Sequence, residues 1–373
     1  MLPLETIAQR EALLLAPFAM HTVASAGRRY PEPVHPYRGA FQRDRDRIIH
    51  SAAFRRLSHK TQVFTGDLGD YHRTRLTHTL EVASIARTLG RSLRLNEDLI
   101  EALALAHDIG HPPFGHAGED TLNECLKEEG GFSHNRQALR IFELLENRYP
   151  EFPGLNLSLE VLEGQQARAD KTAAPRSPLL EVQVVDAADS VAYNAHDADD
   201  ALQLGLVTLE ELIEVPLWSE AAQEVRRRFA DLDAEELRRA IVHQLIDTLV
   251  SDLLAATSAR LAQAMPANVG GVRASPPLVA PSSGLAQRKA DLEQFLYAKV
   301  YRHPAVLATR TRAQLCLREM FDKFLAEPGL LPESFAIRSA SNGLPRTIAD
   351  YLAGMTDRFA LKEHRRLCGV ANE

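Results

Sequence analysis

The sequence predicts an all-α protein, and three observations carry the prediction. Apolar residues recur at helical spacing along most of the 373 residues. The short apolar run with strand character, residues 179–185, leads straight into a longer helical pattern. The densest group of titratable side chains, from His107 to His116, follows the end of a helical pattern and not a Gly-rich phosphate loop. The expected architecture is a set of helices packed around one buried site.

Residues 5–15 open the chain as a helix, and the stretch 12–20 is too short and too broken by Pro17 to span a membrane. Helical patterns follow at 46–57, 73–93, 97–107, 119–128 and 134–147. In 73–93 the apolar stripe is His78, Val82, Ile85, Leu89, spaced i, i+4, i+7, i+11. The pattern at 97–107 begins after Asn96, and its stripe runs Ile100, Leu103, His107. Both histidines therefore face the apolar side. Ser133 is placed to cap the helix that His134 opens. The pattern at 184–202 carries Asp186, Asp189, Tyr193 and Asp197 on one stripe. Three acids on an inward face are expensive to bury unless something cationic lies there.

Further helical patterns lie at 209–213, 220–229, 234–265, 286–301, 309–326 and 345–358. Two stretches read as exposed loops: 164–178, polar and ending in proline, and 266–284, rich in Pro, Gly and Ser. The second supplies the boundary. The expected organisation is a basic N-terminal segment with helices (1–60), a metal-bearing core (61–265), a loop (266–285) and a C-terminal helical part (286–373).

Composition excludes several classes. The chain is 45% apolar and 25% charged, ordinary for a soluble globular protein. No basic segment precedes an apolar core and cleavage site, so neither a secretory leader nor a membrane anchor is expected. Cys125, Cys316 and Cys368 are far apart, with no disulfide framework and no zinc spacing, which suits a cytoplasmic setting. Residues 1–91 hold 14 Lys and Arg against 8 Asp and Glu, whereas the whole chain carries −7. The basic part is where a polyphosphate is expected. Its run Arg43, Asp44, Arg45, Asp46, Arg47 reads equally as solvated ion pairs.

Within ten residues the chain holds His107, Asp108, His111 and His116, broken by Gly and Pro. Imidazole and carboxylate together suit Mn, Fe, Co, Ni, Zn or Mg. With His78 and Asp189 on inward faces, His78, His107, Asp108 and Asp189 form a plausible N2O2 donor set. No Walker-type loop is present, so phosphate must be held by metal, Arg, Lys and His. His116 is the natural general acid for a leaving alkoxide, and Glu119, three residues on, is placed to orient its ring. His111 is placed for a phosphate oxygen, and Arg75, three residues before His78, neighbours it on the same helix.

These residues carry a resemblance. The sequence resembles the HD-domain metal phosphohydrolases, named for their His-Asp doublet, and more narrowly the bacterial dGTPase-like deoxynucleoside triphosphate triphosphohydrolases. The matching stretches run from Arg28, Arg29 and Tyr30 through Phe54, Arg55, Arg56, Leu57 and Lys60, Thr61, Gln62, Val63, Phe64. They continue with Tyr71, His72, Arg73, Thr74, Arg75, Leu76, Thr77, His78, the doublet segment to Glu119, residues 186–200, and Tyr301, Arg302, His303, Pro304. The similarity covers residues 28 to 360.

The resemblance implies that His78, His107, Asp108 and Asp189 bind a divalent metal and that His116 and Glu119 are a catalytic pair. It implies further active-site roles for His111 and His134, and substrate contacts through Gln62, Arg75, Tyr193 and Asp197. The implied reaction removes the whole triphosphate from a dNTP, giving a deoxynucleoside and inorganic triphosphate. It also implies a homo-oligomer and a dNTP effector site between subunits, while the basic N-terminal part permits electrostatic contact with single-stranded DNA. The sequence departs from the pattern at one place. Mammalian relatives carry a sugar-facing tyrosine in Arg-Arg-Ala-Tyr, and here Arg238, Arg239, Ala240 are followed by Ile241. Two other readings compete: an HD-type enzyme acting on a nucleoside monophosphate or signalling nucleotide, and a nucleic-acid-binding regulator on the same fold.

Overall fold

The computed structural model describes residues 6–62, 73–170 and 176–369. Among them the regular structure is helical, and extended pairing is limited to isolated bridges such as Arg28 with Ser158 and Thr61 with Thr74. The all-α class stands. The helices are α1 (Ile7–Leu14), α2 (Ala40–Ile49), α3 (Ala52–Arg56), α4 (Arg75–Ser92), α5 (Glu97–Ala106), α6 (Gly115–Cys125), α7 (His134–Arg140), α8 (Leu159–Ala169) and α9 (Leu180–Gln203). They continue as α10 (Leu209–Ile213), α11 (Pro216–Arg228), α12 (Ala234–Ala264), α13 (Val269–Ala274), α14 (Ser283–Leu296), α15 (Pro304–Ala326), α16 (Glu333–Asn342), α17 (Leu344–Ala353) and α18 (Asp357–Cys368).

Local chemistry explains several starts. The Thr74 side chain accepts from Thr77 N, Asn96 from Leu99 N and Ser133 from Arg136 N, so α4, α5 and α7 open on side-chain caps. Asp233 and Glu236 form a capping box at the head of α12. That 31-residue helix is long and apolar enough to cross a membrane by length and composition alone. Its buried side chains, Ile241, Leu245, Leu249, Leu253 and Thr257, recur every four residues as one stripe, and α12 packs on α9 and α11.

Buried apolar side chains form two clusters. The first joins α2, α4, α5, α9, α11, α12 and α14 around residues such as Phe41, Val82, Leu99, Val184, Trp218, Ile241 and Leu292. The second joins α6 to α15, α17 and α18 through Phe114, Leu122, Leu317, Phe321, Phe324, Ile348 and Ala360. The segment between α5 and α6 passes from one to the other, since Ile109 belongs to the first and Phe114 to the second. The doublet segment therefore lies on the seam.

Three details differ from the sequence expectation. Residues 159–169 form α8, although 164–178 reads as loop. A Cβ on Gly164 would stand 2.6 Å from Leu103 Cδ2 and 2.9 Å from Val182 Cγ2, so this glycine admits α8 against α5 and α9. The segment 266–284 contains the short helix α13, and the Leu278 and Val279 amides donate to Gln183 Oε1. The alternating Arg/Asp run is not wholly solvated. Asp44 is fully buried beside Arg28, and Arg47 donates to Glu32 and to the carbonyls of Leu155 and Asn156.

Candidate active site

A cavity of about 400 Å³ opens on the seam. It is lined by Gln62, Arg75, His78, Asp108, His111, His116, His134, Arg168, Asp186, Asp189 and Tyr193, among others. Most residues named from the sequence thus converge on one space.

One wall comes from three helices. His78 projects from the first turn of α4, His107 follows the last turn of α5, and Asp189 lies on α9. His78 Nε2 is 3.1 Å from Asp189 Oδ1, and His107 Nε2 is 3.7 Å from the same oxygen. Asp108 adds Oδ1 at 3.4 Å from His107 Nε2 and 3.1 Å from His111 Nδ1. Burial works to raise both carboxyls. The neighbouring imidazoles, with Arg75 at Asp108 and Arg168 at Asp189, outweigh it and hold both well below the usual carboxylate range.

His107 decides what this wall can hold. Its Nδ1 lies 2.6 Å from the Ala104 carbonyl, which can only accept, so Nδ1 carries the proton. Nε2 is then a bare lone pair. It is buried, has no hydrogen-bond partner, and faces two carboxylate oxygens. Acceptors facing acceptors are satisfied by a cation and by little else. Ligand atoms of His78, His107 and Asp189 lie within 4.8 Å of one another. This wall fits a divalent ion, with Asp108 beside it.

The opposite wall is local. Glu119 Oε2 is 3.3 Å from His116 Nδ1, and Glu119 Oε1 is 2.8 Å from both His134 Nδ1 and the His134 amide. Burial pushes Glu119 up, but these two histidines outweigh it and hold the carboxyl far below its ordinary value. His134 stacks on His111 with ring centroids 3.7 Å apart. The His116 side chain is 71% exposed, which leaves its ring free to meet a substrate. Burial, then Arg75 and His134, keep the His111 ring neutral.

Backbone geometry lets these walls approach. Phe114 and Gly115 both take left-handed conformations, with φ of 63° and 57°. A Cβ on Gly115 would stand 2.8 Å from the Arg75 guanidinium, which donates to Asp108 Oδ2 at 2.9 Å and to the Gln62 carbonyl at 3.1 Å. Gln62 Oε1 is buried without a partner. Residues 63–72, which include Val63, Phe64, Tyr71 and His72 of the resemblance, lie outside the described residues.

Four participants escaped the sequence reading. Tyr301 donates to Asp197 Oδ2 at 2.5 Å, and its hydroxyl oxygen lies 2.9 Å from the Tyr193 hydroxyl, whose proton it can accept. Ile241 is buried in the first core. The Tyr301 segment is among the matching stretches, but it carried no site assignment. Arg168 on α8 pairs with Asp186 at 2.6 Å and lies 3.9 Å from Asp189. Asp186, expected inward, is about half exposed at the cavity mouth. Lys60 donates to the carbonyls of His111 at 2.5 Å and Ala353 at 2.9 Å, and burial lowers its amine to about 7. Asp357 at the head of α18 accepts from Phe114 N and from Thr61. Nothing short of three-dimensional contact signals either residue.

A histidine-aspartate doublet between helices, completed by a histidine and an aspartate from other helices, defines an HD-type phosphohydrolase centre. In agreement, residues 75–194 match the HD domain family, and residues 279–366 match the phosphohydrolase-associated domain. The chain belongs to the deoxyguanosinetriphosphate triphosphohydrolase-like family. It is 47% identical over 368 residues to the deoxyguanosinetriphosphate triphosphohydrolase-like protein of Ralstonia nicotianae, covering 95% of each chain. It is 48% identical to that of Bordetella pertussis, covering 95% of this chain and 96% of the other. Its identity to that of Azoarcus sp. is 47%, covering 97% and 98%. A hypothetical protein from Aquifex aeolicus aligns with TM-score 0.47 and 18% identity over 86% of this chain and 67% of that one, a likeness on which nothing is built.

Proposed function

We propose that this protein hydrolyses a 2′-deoxynucleoside triphosphate to the deoxynucleoside and inorganic triphosphate. The observation that carries the reading is the unpartnered Nε2 of His107, buried against two carboxylates and facing, across one cavity, an exposed histidine held by Glu119. A divalent ion held by His78, His107, Asp108 and Asp189 supplies Lewis acidity to a phosphoryl oxygen and lowers the pKa of water.

The chain's own groups do the rest. Arg75, Arg168 and His134 line the cavity as cationic or donating partners for the triphosphate oxygens. Water oxygen joins the α phosphorus and loses a proton to solvent, the bond from that phosphorus to O5′ breaks, and the O5′ alkoxide needs a proton. His116 donates it from the exposed edge of its ring, with Nδ1 held by Glu119. Tyr193, Tyr301 and Asp197 form a flat, hydrogen-bonded group beside the cavity and are suited to press on C2′ and exclude a 2′-hydroxyl.

Metal-stripped protein, reloaded with Mn or Mg, is to be incubated with each dNTP and NTP and the products resolved by ion-exchange chromatography. The expected products are deoxynucleoside and tripolyphosphate, lost in His78→Ala and Asp189→Asn. Release of monophosphate or diphosphate overturns the reading in favour of another HD-type phosphohydrolase.

A further inference from the structure

We propose that a second divalent cation, of the zinc class, binds between α15 and α18 through Glu319, His364 and Cys368. One ligand atom from each lies within 4.8 Å of the other two. His364 and Cys368 are four residues apart on α18 and so share a face, the spacing by which helices present paired ligands. Glu319 answers them from α15, with Oε2 at 2.6 Å from His364 Nε2. The site is partly buried and contains no residue of the cavity.

An ion pair between Glu319 and His364 accounts for two of these groups and leaves the third unexplained. The third group is Cys368 Sγ, which lies within 4.8 Å of ligand atoms of both. A dication would take all three groups: the thiol would give up its proton to solvent and bind as thiolate, with the carboxylate as co-ligand.

The donor set selects the ion. Calcium and magnesium take oxygen ligands, whereas one sulfur, one nitrogen and one oxygen suit a borderline cation in tetrahedral geometry. Three protein ligands leave the fourth position to water. The consequence is mechanical. α15 packs on α6, which carries His116 and Glu119, and α18 begins with Asp357, which holds Phe114 and Thr61. A cation here fastens together the two helices that support the catalytic segment from behind. The proposal stands apart from the assignment of the substrate.

The full chain, reduced and stripped of metal, is to be titrated with Co²⁺ and followed in the near ultraviolet and visible. The lining of the cavity offers no sulfur, so a thiolate-to-cobalt charge-transfer band reports the second site alone. The expected result is a band that saturates by two cobalt per chain, one of them at the cavity, and is displaced by Zn²⁺. It is absent in Cys368→Ser, which keeps its helical spectrum and its cobalt at the cavity. In His364→Ala the affinity falls at least about tenfold, since even outer partners of a metal ligand cost that much. The absence of any band in the unaltered chain, or a band unchanged in Cys368→Ser, overturns the proposal.

Discussion

The two walls of the cavity use the same side-chain types and are assembled by opposite means. His78, His107 and Asp189 come from three helices, and their meeting leaves a lone pair of His107 with no partner. His116 and Glu119 lie one turn apart on α6, and Glu119 satisfies His116 and His134 together. One wall is incomplete as folded protein; the other is complete. The first rests on the larger apolar core and the second on the smaller one. Tertiary packing fixes the group that the chain cannot satisfy by itself. Helical spacing alone sets the His116 and Glu119 pair, to which the proposed reaction assigns the proton transfer.

Separate substitutions are expected to separate the walls. His107→Ala should abolish both activity and bound metal, because it removes the one acceptor that only a cation completes. His116→Ala should lower kcat by about 10²–10⁴-fold, the usual worth of a general acid, with bound metal unchanged. Metal content and kcat measured on the same preparations check this. Loss of metal from His116→Ala would break the distinction between the walls.

Gly110 is where the walls touch, and it yields the next largest effect. A Cβ there would stand 2.0 Å from the His134 carbonyl oxygen and 2.5 Å from Ala138 N, both backbone atoms. Gly110→Ala must therefore push α7 away. We expect about 3 kcal/mol of destabilisation by chemical denaturation and a fall in activity, since His134 moves with the helix. A variant that folds with unchanged stability would show that the seam is softer than these contacts require.

The legible part of this molecule was the part written locally. The doublet segment keeps its chemistry within ten residues, and the stripes of α4, α5 and α9 follow helical periodicity, so the donor wall could be named from sequence. α8 was not legible, because its interior glycine and polar residues read as loop. Gly164 is explained only by the proximity of Leu103 and Val182. Arg168 was hidden with it. Tyr301 lies more than a hundred residues from its partners Tyr193 and Asp197, and a tyrosine near a helix end has no signature of its own. Asp357 and Lys60 act on backbone atoms, which no residue pattern records.

Asp197 gives the smallest effect and extends the contrast beyond the walls. Unlike Asp189, it is fully buried with no cationic partner among its hydrogen bonds, and burial raises it to about 7. Its folded pKa therefore lies above its unfolded one, near 3.8. Between those values the folded chain binds more protons than the unfolded chain, so this group lowers stability as pH rises from about 4 to 7. Asp197→Asn imitates the protonated form and still accepts the Tyr301 hydroxyl. The variant should melt above the unaltered protein at pH 8, by on the order of 2–4 °C, and the gap should close as the pH is lowered toward 4. Thermal unfolding across that range checks the sign. A variant less stable at pH 8 would mean that Asp197 is ionised and paired, as Asp189 is. The protein would then hold Asp197 by charge, as it holds Asp189 on the same helix.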